Sequence, residues 1–460
     1  MSDLADLAAT ELLRRYRSRD LSPVEVAEAV IARIDAREPV LSALYDYRPD
    51  DALAAAKASE DRWRSGDALA LDGVPVTIKE NIATKGTPMP LGTAARELAA
   101  APDDAPVSAR LGEAGAVLVA KTTMPDYGML SSGLSSFHPL TRNPWDTTKN
   151  PGGSSAGAGA AAAGGYGPLH IGTDIGGSIR LPAGWCGVFG LKPSFGRVPV
   201  DPPYWGRVAG PMTRNVADAA LMMREIARPD PRDGMSLPAA EIAWDQLATD
   251  VAGLRIGLQL DAGIGMAVEP EVRACIERAA RLFEDAGAIV EPVRPFLTRE
   301  MLDGLDIFWR QRAWADIGPL AEAERAKILP YILRWAEGGR ALSGADVYRG
   351  MSQMGQIRDA ALRATLPYDF VLSPVAPCPS YPAELASPID DPERPFEHIC
   401  FTVPYNFSEQ PASSVNAGYT ASGLPIGLQI SGRRFDDIGV LRLSAAFEAM
   451  RGEQRPWPTI

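Results

Sequence analysis

A chain of 460 residues with 46% hydrophobic and 23% charged side chains is long enough to bury a substantial core and too apolar for bulk disorder. Its 46 basic and 58 acidic residues leave a net charge of −12, which argues against a phosphate backbone or an anionic membrane surface as the main partner. The four cysteines lack CxxC spacing, so neither a disulfide framework nor a zinc site is implied, and no run of about 18 apolar residues is present to span a bilayer.

The start, Met1-Ser-Asp-Leu-Ala-Asp-Leu-Ala-Ala-Thr-Glu, lacks the charged-then-apolar pattern of a signal peptide, and a cytoplasmic protein is expected. Residues 4–36 read as two helices, the second opened by Ser22-Pro23, and 51–65 continue helical within an N-terminal stretch of helices over 1–65. Val74, Val76 and Ile78 alternate as in a short strand that carries Lys79 at its end, level with Thr77. A helix over 107–114 and a buried strand over 116–120 follow, the alternation of an α/β sheet.

Residues 121–150 are rich in Pro, Ser and Asn and form loops. Beyond them Ala156–Ala163 reads as a helix of small side chains able to pack closely. Strands at 254–258 and 288–290 flank a helix at 271–286, and a helical region over about 298–365 carries Phe308, Trp309, Trp314, Tyr331 and Trp335 at largely core-like spacing. A strand at 368–374, a loop at 401–408, a last strand at 427–431 and a helix at 440–450 complete the chain. No internal repeat or long linker interrupts it, so one α/β body over 1–460 is expected.

Two glycine-serine clusters stand out, Lys149-Asn-Pro-Gly-Gly-Ser-Ser-Ala-Gly157 and Gly172-Thr-Asp-Ile-Gly-Gly-Ser-Ile-Arg180. Glycine lets a backbone take positive φ and approach a ligand, so such loops set serine hydroxyls beside free N–H groups, the material of a nucleophile and an oxyanion hole. A serine hydroxyl needs a base, and the sequence offers Lys79 and only three histidines. Lysine must be neutral to accept a proton, which asks burial to lower its pKa by about three from the usual ~10.4.

The strand Gly73-Val-Pro-Val-Thr-Ile-Lys79 and the two loops, in this order and spacing, resemble the amidase signature family of serine hydrolases, most strongly over 71–218. The resemblance implies a central twisted mixed sheet covered by helices on both faces, with 298–365 as a variable wall of the substrate pocket. It implies Ser178 as nucleophile, Ser154 as proton relay after a cis Gly153–Ser154 peptide, and Lys79 as terminal base. The backbone N–H groups of Ile175, Gly176, Gly177 and Ser178 form the implied oxyanion hole, and Met129, Ser131 and Ser155 are implied substrate contacts. Asp174 and Arg180 brace the loop; Thr173 is given no role. No metal or cofactor is required. The expected partner is a small-molecule amide or carbamate, with no nucleic acid and no membrane, acted on by a monomer or homodimer.

Two departures from the family pattern stand out. Ala156 replaces a usual glycine, tolerable at a helix start, and Glu80 replaces a usual aspartate after the lysine. Gly153-Ser-Ser-Ala-Gly157 also fits a G-x-S-x-G elbow with Ser155 as nucleophile and His398 as base, but a loop precedes it where a strand is needed. A nucleotide-binding reading lacks the Gly-Lys-Ser/Thr that follows a phosphate loop. His138 and His170 lack metal-ligand spacing and read as structural. The alternative within the same fold is the glutaminase subunit of a tRNA-dependent amidotransferase, whose loop continues Thr-Glu where this chain has Gly133-Leu134. A stand-alone amidohydrolase is the expectation, acting on aryl or alkyl amides, anilides or carbamates, with esterase side activity.

Overall fold

Among residues 3–460, which the computed structural model describes, eleven strands form one mixed sheet. The strands are β1 (Leu44–Tyr45), β2 (Pro75–Lys79), β3 (Val117–Thr122), β4 (Leu169–Asp174), β5 (Phe189–Lys192) and β6 (Val208–Thr213), then β7 (Arg255–Leu258), β8 (Ile289–Pro292), β9 (Phe370–Pro374), β10 (Ala412–Tyr419) and β11 (Pro425–Gly432). Their spatial order is β1-β3-β2-β4-β6-β5-β10-β11-β9-β7-β8. β2 runs parallel to both β3 and β4, while β4–β6, β6–β5, β5–β10 and β10–β11 are antiparallel.

Most of the expected strands and helices are present with ends shifted by up to three residues, but the first α-helix begins only at Ala9, after a 3-10 turn at Leu4–Asp6, and the second runs to Leu41, five residues past its expected end. Ser22 and Glu25 form a capping box with Pro23 in the first turn, which starts the helix Pro23–Leu41. The 298–365 region holds the helices Arg299–Ile317, Glu322–Arg325, Pro330–Glu337 and Gly344–Thr365. Within 401–408, where the sequence predicts a loop, Pro404–Phe407 forms one helical turn. Met1 and Ser2, part of the N-terminal stretch expected to be helical, lie outside the described residues.

Side chains alternate across a strand, and here the alternation separates two environments. Val76, Ile78, Leu169, Ile171 and Ala209 join the main core with the helices Val216–Ile226, Pro270–Asp285 and Asp437–Met450. Met212 joins a smaller cluster with Ala158, Ala162 and Ala183, from the helices Ala156–Gly164 and Arg180–Cys186. Both helices are wholly buried; the first consists only of alanine and glycine, and the second places Ala183, Gly184 and Cys186 among larger side chains. A Cβ on Gly157 would lie 2.1 Å from Ala43 O and 2.4 Å from Thr123 N, so only glycine admits this approach of helix to backbone. A third cluster gathers the 298–365 helices against 375–407 and walls the cavity described below. All four cysteines are free and buried. Among the described residues no helix is long and apolar enough to cross a membrane.

Candidate active site

With Val76 and Ile78 turned into the main core, Thr77 and Lys79 project from the other face of β2. Lys79 is fully buried. Its Nζ lies 2.8 Å from Ser154 Oγ, 3.1 Å from Ser155 Oγ and 3.1 Å from Thr173 Oγ1. No carboxylate pairs with it among the described residues, and its pKa falls from the usual 10.5 to about 7. Burial is the main cause and the positive charge of Arg207 adds to it, against smaller opposing effects of Asp174 and Glu80. Glu80 does not bond Lys79. Its carboxylate accepts the Gly92 N–H and meets His138 Nε2 at 2.5 Å. His170, behind Lys79, is 2.8 Å from Thr77 Oγ1 through Nδ1.

The first glycine-serine loop arrives beside this lysine. Gly152 has φ +84°, and the Gly153–Ser154 peptide is cis. Ala156 begins the following helix, with its methyl fully buried.

The second loop is held by a buried ion pair. Asp174 Oδ1 accepts from Gly177 N at 2.8 Å, Arg180 Nη2 at 2.9 Å and Asn406 Nδ2 at 2.9 Å. Its Oδ2 accepts from Ile179 N at 3.1 Å and Arg180 Nε at 3.0 Å. Burial works to raise the Asp174 pKa, but the Arg180 charge and these hydrogen bonds outweigh it and hold the carboxyl well below the usual range. Arg180 also donates to Thr402 O and Gln429 Oε1, both at 2.8 Å. Loop, strand β11 and the 402–406 turn are thereby locked together.

A cavity with about 870 Å³ of atom-free space, partly open to solvent, lies over both loops. Ser154, Ser178, Ile175, Gly176, Met129 and Ser131 line it. No hydrogen bond joins Ser154 Oγ to Ser178 Oγ among the described residues. The N–H groups of Ile175, Gly176 and Ser178 have no acceptor among the described residues, whereas that of Gly177 is taken by Asp174. Gly177 therefore departs from the four-residue oxyanion hole expected from the sequence. Its role is conformational: φ is +132°, and a Cβ there would meet Thr402 Oγ1 at 2.7 Å.

Ser155 is a second correction. It is fully buried beneath Lys79, outside the cavity lining, accepts the Thr173 N–H and donates to Thr173 O, each at 3.2 Å. It is not placed to touch a substrate. The elbow reading fails with it, because His398 Nε2 lies 2.8 Å from Ser131 Oγ and burial lowers the His398 pKa to about 3.

Sequence reasoning misses several lining groups. Thr173 holds both Lys79 and the amide of Asn81, the latter at 3.2 Å. Of the aromatics expected on the 298–365 wall, Trp309 and Tyr331 do reach the cavity, whereas Trp335 is buried in the core behind. Arg207 and Arg312 also line it. Helical spacing places Arg312 on the face of Phe308 and Trp309, a signal the sequence does contain; nothing around Arg207 marks it out.

The sequence profile of the Amidase family matches residues 25–441. The chain belongs to the amidase signature family. It is 35% identical over 466 residues to an acylamidase of Rhodococcus erythropolis, covering 98% of this chain and 96% of that one. It is 36% identical over 486 residues to a glutamyl-tRNA(Gln) amidotransferase subunit of Chloroflexus aurantiacus, covering 98% of each. Among solved structures, a bacterial aryl acylamidase of the amidase signature family superposes with a TM-score of 0.89 at 31% identity over 96% of each chain. The amidase signature fold and hydrolase class expected from the sequence are thus established for this chain.

Proposed function

We propose that this amidase signature hydrolase cleaves the C–N bond of a small-molecule amide through an acyl-enzyme on Ser178, with Ser154 as relay and Lys79 as terminal base. The observation that carries the reading is the buried, unpaired Lys79 bonded to Ser154 on the floor of the cavity that Ser178 lines.

A count of hydrogens around Lys79 supports one direction of proton flow. A neutral amine has two N–H groups and one lone pair, yet Lys79 Nζ has three hydroxyl neighbours. Ser155 gives its hydrogen to Thr173 O, so it can only accept from Lys79. Thr173 Oγ1 accepts from Asn81 and can accept again. When Lys79 gives its two hydrogens to Ser155 and Thr173, its lone pair takes the Ser154 hydroxyl hydrogen, and the Ser154 oxygen is then free to take a proton from Ser178. Attack by Ser178 Oγ on the carbonyl carbon sends its proton to Ser154 and the Ser154 proton to Lys79. The N–H groups of Ile175, Gly176 and Ser178 receive the oxyanion, each such donor contributing about 2.7–4 kcal/mol in comparable hydrolases. The proton returns along the chain to the departing amine, and water, activated by the same relay, releases the acid.

Met129, Trp309, Tyr331 and Phe396 give the cavity apolar walls suited to an aryl or alkyl amide or an anilide. Carbamates and esters present the same carbonyl to the same hydroxyl. The test is release of amine from an anilide panel by the pure chain. Turnover that disappears in Ser178→Ala and Lys79→Ala supports the reading, and turnover that survives both rejects it.

A second reading, the glutaminase subunit of an amidotransferase, is favoured by the 36% identity to the Chloroflexus protein. Glutamine carries an ammonium group that needs an anionic partner. Asp174 is the one carboxylate among the lining residues, and it is already engaged by Arg180 and Asn406. This supports stand-alone amide hydrolysis. Glutamine turnover that requires added partner subunits would reverse the preference.

A further inference from the structure

The cavity wall carries two positive charges that no salt bridge among the described residues neutralises. Arg207 and Arg312 line it, and neither forms an ion pair among the described residues, although most arginines of this chain do. Arg207 Nε is buried with no hydrogen-bond partner. The acidic groups nearest in effect, Asp201 and Asp233, only partly offset the burial and the repulsion from Arg312 that together lower the Arg207 pKa. Asp233 is committed elsewhere, accepting from Val200 N at 2.9 Å and Met235 N at 2.8 Å. Arg312 is held in place by stacking on Tyr204, with its guanidinium carbon 4.3 Å from the ring centroid.

A third free donor stands beside them. Trp309 Nε1 is buried without a partner, and the same indole lies against the nucleophile loop, its Cη2 3.2 Å from where a Cβ on Gly176 would sit. Buried donors normally find acceptors, and unpaired arginines at a cavity wall in a chain of net charge −12 run against its overall electrostatics. Both anomalies end if the ligand supplies the acceptor. A planar carboxylate matches the donor fork of a guanidinium.

Resting on the reading of this cavity as the substrate pocket, we propose that the substrate carries a carboxylate, or a group of like charge and shape, bound between Arg207 and Arg312 while its amide lies at Ser178. The preferred substrates are then N-acyl compounds with an acid but no ammonium group on one side of the scissile bond, such as N-aryl monoamides of simple dicarboxylic acids or amides of aminobenzoic acids. Neutral anilides bind without this contact.

The test uses Ser178→Ala protein, which leaves the ligand intact, and calorimetric binding of two matched pairs. These are 4-anilino-4-oxobutanoate against butyranilide, and 4-acetamidobenzoate against acetanilide. The expected result is that the anionic member of one pair binds roughly 10- to 100-fold more tightly. Adding Arg207→Gln or Arg312→Gln collapses that ratio toward one, while Arg312→Lys retains part of it. Equal affinity within both pairs, or a preference that survives both glutamine substitutions, overturns the proposal. Failure of the hydrolase reading would show separately, as absence of amide turnover in the unsubstituted protein.

Discussion

The lowered pKa of Lys79 makes the pH dependence of turnover the most quantitative consequence of this site. A lysine with its usual value of 10.5 would be neutral in only about 3 molecules in 10⁴ at pH 7, whereas one with a pKa of about 7 is neutral in about half. The difference is roughly a thousandfold in competent base, or roughly 5 kcal/mol in the balance between charged and neutral lysine. With a neutral amide as substrate, kcat/KM should rise about tenfold per pH unit below the inflection and level off above pH ~7, since protonated Lys79 cannot accept the relay proton. Arg207 is the second cause of the lowering, so Arg207→Gln should move the inflection to higher pH. Initial rates below KM between pH 5 and 9.5 give the profile. A flat profile over that range, or a rise that continues to pH 9.5 without levelling, would refute the reasoning.

The same burial makes Lys79 a cost to stability. Its folded pKa lies below its unfolded one, so the unfolded chain holds more protons between about pH 7 and 10.5 and stability rises with pH across that window. Lys79→Met should therefore be inactive yet have a higher melting temperature than the parent at pH 6, with the advantage gone near pH 10. A lower melting temperature at pH 6 would contradict this. Thr173→Val removes an acceptor of both Lys79 and Asn81 and should lower kcat/KM by roughly tenfold, from about 1–1.5 kcal/mol for the lost bond, while phosphonate labelling of Ser178 persists at a reduced rate. Asp174→Asn leaves Arg180 buried without its counter-ion and should cost about 3–5 kcal/mol in urea unfolding; a change below 1 kcal/mol would show that the pair does not hold the loop.

The groups proposed to carry the chemistry are legible because they sit on local signals: an alternating strand ending in Lys79, glycines beside serines, and a run of small residues after Ser155. The centre of the sheet is less so. β4 reads Leu-His-Ile-Gly-Thr-Asp and β10 reads Ala-Ser-Ser-Val-Asn-Ala-Gly-Tyr. Both lack the β-branched runs that mark a strand, because the closely packed helices on one face leave room only for small or hydrogen-bonded side chains. Thr173 is left without a role for the same reason, since it is the penultimate residue of a strand whose sequence has the composition of a loop.

The errors within the site are of another kind. The family resemblance implies a substrate contact for Ser155, but adjacent residues in a turn diverge, and its hydroxyl points beneath the lysine. Gly177 has the position of an oxyanion donor in the sequence, but Asp174, three residues earlier, folds back onto its N–H. Arg207 and Arg312 meet only through tertiary structure. The sequence therefore indicates the reaction more readily than what the pocket recognises.

The central claim, that Ser178 is made nucleophilic through Ser154 by a neutral Lys79, is tested most directly by fluorophosphonate labelling of the pure protein at pH 8, with peptide mapping of the modified residue. The account predicts label on Ser178 alone, lost in Lys79→Met although that variant stays folded. Label on Ser155, or labelling of Ser178 that proceeds equally well without Lys79, would contradict it.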